Sequence, residues 1–326
     1  MKVITVASRG AVVEALGDVR TVVTIGAYDG VHRGHRAVIA QVKEQAAQIA
    51  ARSVVVTFDR HPATVVRPES APRLLTDAEQ KIELLASTGV DATLVVPFGA
   101  QQSGEAPADF VRRVLVEALR VRGIIVGEDF HFGHKRAGNV ELLQSMAIAH
   151  DYVVRPVALV ARGDGVDEPV SSTAIRRALA GGDVQRANEL LGRPHEVRGI
   201  VGHGDQRGRA IGFPTANVAV DPMLCLPAEG VYAARVVVAD DVGAPISAHD
   251  AAVNLGRRPT FHERAEHSLL EAHLLDYSGD LYGKKLRVSF HAFLRGERKF
   301  SGIDELKTQL AVDITHARAA LNQRSR

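Results

Sequence analysis

The chain has a single cysteine, Cys225, so no intrachain disulfide can form and a paired-cysteine zinc site is excluded. Set in MLCLP, that thiol reads as a plain buried side chain. No segment reaches the run of about 18 apolar residues that a bilayer-spanning helix needs. The opening MKVITVASRG is broken by Ser8, Arg9 and Gly10, too early to form the core of a signal peptide. Charge of one sign is not in excess either. Forty Lys and Arg against 38 Asp and Glu leave +2, which gives no reason to expect nucleic acid or a membrane surface as partner. Neither an internal repeat nor a low-complexity tract is visible. These absences together predict a reduced, cytoplasmic, globular protein. The 326 residues, 46% hydrophobic and 24% charged, suffice for two domains with a core each.

The first half alternates strand-like and helix-like segments. Residues 22–25, 53–58 (SVVVTF), 93–98 (TLVVPF), 123–130 (GIIVGEDF) and 152–159 (YVVRPVAL) are apolar and rich in β-branched side chains, as strands covered on both faces require. Between them, Val38, Ile39, Val42, Ala46 and Ile49 recur at helical spacing. A second helix is predicted to open at Thr76, with Glu79 completing a capping box, and a third to run from about Pro107 to Val121. This order predicts a doubly wound parallel sheet, with ligands outside the carboxyl ends of the strands. His32, His35, Asp59 and Asp129 follow predicted strands at that edge.

After Thr173 the pattern changes. A short helix and another from near Asp183 lead into strand-like segments at 196–204, 230–240, 249–256, 268–276 and 284–295. A closing helix carries Ile303, Leu306, Leu310, Ile314, Ala317 and Leu321 at helical spacing. The expectation is an α/β chain of two domains: residues 1–186 around a parallel sheet, and residues 187–326 as an antiparallel β-barrel with a terminal helix.

Three stretches of the first half carry chemistry. In GAYDGVHRGH, Gly26 and Gly30 allow the backbone to turn sharply, and His32 and His35, with Gly34 between, fall at a helix start. Unpaired N–H groups and the helix dipole attract phosphate there, and two imidazoles add donors. This resembles the HxGH pattern of nucleotidylyltransferases, which attack the α-phosphate of ATP and release pyrophosphate. In GEDFHFG, Asp129 could hold a polar edge of a flat ligand beside Phe130, although alternating phenylalanines also suit a core. In SSTAIR, Ser172, Thr173 and Arg176 bring hydroxyls, N–H groups and a guanidinium to one point, an ordinary helix cap or a phosphate anchor.

In the second half, GHGDQRGRAIGFPTANV places Gly204, Gly208 and Gly212 with Arg207 and Arg209 in a glycine-rich loop that suits phosphates. It lacks GKS or GKT and so is not a P-loop. Thr215 and Asn217 offer neutral oxygens to magnesium. Strand alternation sets Glu271 and His273 on one face and Ala272 and Leu274 on the other. On the inward face of a small barrel, Glu271 could act as a general base; an exposed strand glutamate is the alternative.

Taken as a set, GAYDGVHRGH, TFDRHP, VGEDFHFG and SSTAIR resemble the nucleotidylyltransferase domain of prokaryotic bifunctional flavokinase and FAD synthetase. GFPTANV, GVYAA, AVNLGRRPTF, LEAHLLDYSGDLYG and the closing LRGERKFSGIDELKTQLAVDITHAR resemble its riboflavin kinase domain. The resemblance implies phosphorylation of riboflavin to FMN and adenylylation of FMN to FAD, each with ATP. It implies that His32, His35, Ser172, Thr173 and Arg176 hold ATP and the leaving pyrophosphate, with Gly26, Tyr28, Asp29 and Gly34 in the same motif. Asp129 and Phe130 would lie at the nucleotide and flavin site, Thr215 and Asn217 would bind Mg-ATP, and Glu271 would activate the riboflavin 5′-hydroxyl. Arg207 and Arg209 would contact phosphate. Tyr28 stands where that family usually has phenylalanine. The implied partners are riboflavin, FMN and ATP, with no nucleic acid and no membrane, and a homo-oligomer is left open. HxGH alone does not choose the acceptor, and it also occurs in class I aminoacyl-tRNA synthetases, but no KMSKS-like loop is present.

Overall fold

Strands apolar on both faces can be buried only in a sheet covered on both sides, and the first part of the chain puts them there. In a computed structural model that describes residues 1–203, 208, 211–240, 243–257 and 268–322, the chain divides into two compact units, Met1–Ser172 and Thr173–Arg326. This division lies upstream of residue 186.

The strands of the first unit are β1 (Lys2–Ile4), β2 (Thr21–Ile25), β3 (Arg52–Phe58), β4 (Ala92–Val96), β5 (Val121–Gly127), β6 (His131–Phe132), β7 (Gly138–Asn139) and β8 (Val153–Val157). Six of them form one sheet in the order β1-β4-β3-β2-β5-β8, with every pairing parallel. One face packs Val22 and Ile125 against Val42 and Ala46 of the helix Arg33–Gln48. The other packs Val23, Val54 and Ile124 against Val111, Leu115 and Leu143. The strand order turns back between β2 and β5, which opens a crevice at their carboxyl ends.

The predicted parallel sheet is observed, with local differences. β1 and the helix Arg9–Leu16 were not anticipated, because a three-residue edge strand is too short to show periodicity. β4 stops at Val96, since the following Pro97 has no N–H to give. The stretch from Pro107 is a short α-helix to Phe110 continued as a π-helix, Val111–Ala118, and Val121 already belongs to β5. The helix Ala78–Ala86 is capped by Asp77, whose carboxylate accepts from the Gln80 amide at 2.7 Å, and not by Thr76.

In the second unit, the helix Val184–Leu191 precedes β9 (His195–Gly202), β10 (Ala216–Val220), β11 (Gly230–Ala239), β12 (Pro245–Arg257), β13 (Ser268–Leu274) and β14 (Lys285–Arg295). These close into a barrel in the order β10-β13-β12-β11-β14-β9, antiparallel throughout. β10 was hidden in the PTANV segment, which read as a ligand loop. Tyr232, Val253, Ala272 and Phe290 fill the interior and are wholly buried. On the outer face Ala233 packs against Ala317 and Leu321 of the terminal helix Ile303–Asn322.

His195 is sealed where that barrel meets its preceding helix. Its amide donates to Asn188 Oδ1 at 2.7 Å, Asn188 Nδ2 donates to the Phe290 carbonyl at 2.9 Å, and the ring Nε2 donates to the Cys225 carbonyl at 2.8 Å. Burial pushes the imidazole pKa from 6.5 down to about 4. A lowered histidine value means that the unfolded chain takes the proton first. Its contribution is therefore complete above pH 6.5 and is lost as pH falls toward 4. Urea unfolding of the barrel at pH 7 and pH 5 is expected to show a lower midpoint at pH 5, with the drop reduced in His195→Gln; equal drops in parent and variant would refute this origin.

Candidate active sites

At the crevice between β2 and β5, the chain leaves β2 through Gly26, passes Tyr28 and enters the helix Arg33–Gln48, whose N-cap is His32. The His32 Nδ1 accepts from the His35 amide at 3.3 Å, which places the ring proton on Nε2. The two imidazoles stack with centroids 3.6 Å apart. Burial, and then the closeness of the His32 imidazole, hold the His35 pKa well below 6.5, so the ring stays neutral at physiological pH. Its Nδ1 is buried and has no hydrogen-bond partner among the described residues. Tyr28 packs its ring on His35 at 4.8 Å and donates its hydroxyl proton to Thr24 at 2.8 Å. Gly34 has a steric reason: a Cβ there would lie 3.2 Å from the His32 ring and 3.3 Å from the Val170 carbonyl.

A cavity of about 340 Å³ opens over this pair. Gly26, Tyr28, His32, Gly34 and His35 line it from the β2 side, Asp129 and Phe130 from the end of β5, and Ser172 from the far wall. The sequence thus named eight residues that the fold brings to one place. Asp29 lies beneath them, its buried carboxylate held by the Leu75 and Thr76 amides. Beside the cavity, Phe130 stacks on Phe132 at 5.4 Å, and Phe58, Phe98, Phe110 and Phe132 line a narrow cleft. Thr173 and Arg176 lie on the helix Ser172–Ala180, Thr173 exposed and Arg176 half-buried.

The barrel presents a second site, and strand register builds it. Glu271 of β13 stands opposite Asn217 of β10 on one side and Asn254 of β12 on the other. Directly paired residues share a face of the sheet, so all three side chains lie together. That face is not the barrel interior, where Glu271 was expected: Leu270 and Ala272 point inward, and Glu271 lies on the outer face that the terminal helix covers. Between sheet and helix is a cavity of about 830 Å³, walled by Glu271, Asn217 and Asn254 and by Leu306 and Leu310 of the helix.

A second cavity, about 710 Å³, is lined by Ala216, Ala272 and Leu274 from the opposite parity, together with Tyr277 and Tyr282. Thr215 belongs to the walls of both. Its segment is pinned from β13, where the His273 ring donates to the Pro214 carbonyl at 2.7 Å. Gly208 is needed for closeness, since a Cβ there would fall 2.4 Å from the Phe213 carbonyl oxygen. Gly212, at φ 90°, takes a backbone conformation that favours glycine. Gly204, Arg207 and Arg209 lie outside the described residues.

Two groups that sequence reasoning missed shape the larger cavity. Arg295 grips Asp313 through Nε at 2.9 Å and Nη2 at 2.8 Å, and Gln309 adds a third bond at 2.8 Å. Asp313 is 2% exposed, and the pair ties the terminal helix to β14. No local motif marks it, because the partners lie on separate elements. Asn254 was missed for the same reason: only cross-strand register places it beside Glu271.

Comparison with known proteins gives two matches to family models, FAD synthetase over residues 17–174 and riboflavin kinase over residues 191–321. The bifunctional riboflavin kinase/FMN adenylyltransferase of Pseudomonas fluorescens is 40% identical over 298 residues, covering 91% of this chain and 92% of its own. The chain belongs to that family. The Escherichia coli K12 member is 38% identical over 91% of both chains. A crystal structure described as a macrolide-efflux protein from Streptococcus pneumoniae has a TM-score of 0.82 and 27% identity, covering 98% of this chain and 99% of that one. The transport in that description is said of that protein. In the present chain, no helix among the described residues is long and apolar enough to cross a membrane.

Removing one partner of the Arg295–Asp313 pair strands a charge in the cavity wall. Asp313→Ala is expected to destabilise the barrel by about 3 kcal/mol, the low end for a broken buried pair, because Arg295 keeps part of its side chain in solvent. Denaturant unfolding checks this, and an unchanged midpoint would show that the terminal helix is held by apolar packing alone.

Proposed function

We propose that the protein makes FAD from riboflavin in two ATP-dependent steps, one in each half of the chain. The observation that carries the reading is the meeting of two cavities at Thr215 in the barrel, with Glu271 and Asn217 side by side next to it. Phosphoryl transfer between two bound molecules needs this kind of arrangement: two compartments, and a base where they join. The larger cavity, apolar along the terminal helix, suits the flavin ring, and the other suits ATP. Glu271 takes the proton of the riboflavin 5′-hydroxyl, the freed oxygen attacks the γ-phosphorus, and ADP departs.

Magnesium fits the residues present. Asn217 Oδ1 is buried without a hydrogen-bond partner among the described residues, and with the Thr215 hydroxyl it supplies the neutral oxygen donors such an ion accepts. When bound there, the ion supplies neutralisation of charge on the phosphates.

In the first unit, an FMN phosphate oxygen attacks the α-phosphorus of a second ATP and pyrophosphate leaves, so no protein nucleophile is required. The helix N-terminus, the His32 Nε2 proton and neutral His35 are donors to the triphosphate. Ser172 lines the same cavity, and Thr173 and Arg176 follow it on the helix Ser172–Ala180. A functional boundary near residue 186 keeps that helix with the adenylyltransferase. Asp129, Phe130 and the phenylalanine cleft suit the FMN ring. The cytoplasm, where ATP and riboflavin meet, is the compartment this chemistry calls for.

Chromatography of riboflavin, FMN and FAD after incubation with ATP and magnesium tests the reading. The parent is expected to give FMN and then FAD. Glu271→Gln should slow riboflavin phosphorylation by roughly 10²–10⁴-fold while added FMN is still converted to FAD. His35→Asn should do the reverse, slowing FAD formation by about 10²-fold. Loss of both activities in either variant, or no riboflavin turnover by the parent, would sink the two-site assignment.

A further inference from the structure

Three residues between β2 and the helix Arg33–Gln48 lie in the left-handed backbone region: Tyr28 at φ 51°, Gly30 at 83° and Val31 at 39°. Glycine adopts this freely, whereas a β-branched residue is strained there. Such strain lasts only where the surroundings over-determine the backbone. Here those surroundings can be named. The Asp29 carboxylate accepts from the Leu75 amide at 2.9 Å and from the Thr76 amide at 3.2 Å. The Thr76 hydroxyl accepts from the Gly30 amide at 3.2 Å and lies 3.4 Å from Asp29 Oδ1, to which it donates. From the other side, the Ser172 hydroxyl donates to the Asp29 carbonyl at 2.9 Å. Asp29 is 5% exposed and Thr76 4%, so water does not compete for these bonds. Thr76 is available for this because the neighbouring helix takes its cap from Asp77.

We infer that Thr76 is a positioning residue for adenylyl transfer, holding the turn through Gly30 and Asp29 so that Val31 delivers His32 and His35 to the crevice as a stacked pair. The inference rests on the reading of the first unit as an FMN adenylyltransferase. Thr76 does not line the cavity and touches no substrate; it acts through the turn. Val31 is followed directly by His32, whose ring caps the helix and stacks on His35. With the Gly30 amide released, Val31 relaxes toward negative φ and the helix start turns with it. The donors then meet the triphosphate out of line, and a displacement of about 1 Å costs on the order of 10²-fold.

The test uses the full-length protein with FMN, ATP and magnesium, and measures riboflavin phosphorylation in parallel. Thr76→Val keeps the shape and removes the hydroxyl; Thr76→Ser keeps the hydroxyl. T76V is expected to lower kcat for FAD formation at least about ten-fold with the KM for FMN unchanged, as misplaced transition-state donors require. T76S should stay within about two-fold of the parent, and riboflavin phosphorylation should be the same in all three proteins. Parental kcat in T76V, or equal losses in T76S and T76V, would overturn the inference. A T76V loss that vanishes on cooling well below its unfolding midpoint would do so too, since it would report only the folded fraction. Should T76V not fold, T76S decides alone: parental kcat upholds the role of the hydroxyl and a ten-fold loss refutes it. Absence of FAD formation by the parent marks failure of the underlying reading, and the inference falls with it.

Discussion

Strand β2 ends beside β5 where the strand order turns back, and the chain has only the segment from Gly26 to His32 in which to leave the sheet and aim a helix at the crevice. That short path accounts for much of the first unit. It forces Tyr28 and Val31 into left-handed backbone, and it leaves a side chain at position 34 tight against the His32 ring. It also needs an anchor outside itself, which the buried bonds from Leu75 and Thr76 to Asp29 supply. The strain delivers a stacked pair of imidazoles to the crevice. His32 accepts on Nδ1, and His35 is too buried, and too close to His32, to take a proton at neutral pH.

The barrel solves a different problem. A closed six-stranded barrel fills much of its interior with side chains such as Tyr232 and Phe290, and the cavity that its inward-facing Ala216, Ala272 and Leu274 leave open receives no polar side chain from β10 or β13. The polar groups therefore sit on the outer face, and a separate element, the terminal helix, closes a chamber over them. Helix and sheet are joined by apolar packing at Ala233, Ala317 and Leu321, and by the Arg295–Asp313 pair. The ion pair adds direction to a contact that apolar packing alone would leave free to slide.

Much of this was legible in the residues. Runs such as SVVVTF and TLVVPF declare strands buried on both faces, and the HxGH segment declares a helix start with spare donors. The eight residues that meet at the crevice were named from local motifs and from the family those motifs resemble, because a turn, a cap and a strand end are local objects. What escaped was relational. β1 is three residues long and is defined by its partner β4. Thr76 fits a capping box as well as it fits a clamp, and only the path of the turn decides between them. Alternation put Glu271 on a face with His273, but it could not say which face was the barrel's inside. That depends on how the barrel closes, through the pairing of β9 with β14, which lie far from each other in the sequence.

Closure of the barrel also assigns the residues of β13 by parity. Glu271 and His273 belong to the chamber under the helix, while Ala272 and Leu274 belong to the other cavity, and the backbone between them is the partition. Two molecules on opposite sides of such a wall can approach each other only at its rim, where Thr215 stands. Evolution can therefore retune one compartment through odd positions of this strand and the other through even positions. Two cavity walls are thus written in alternate letters of one short segment, each editable without disturbing the other.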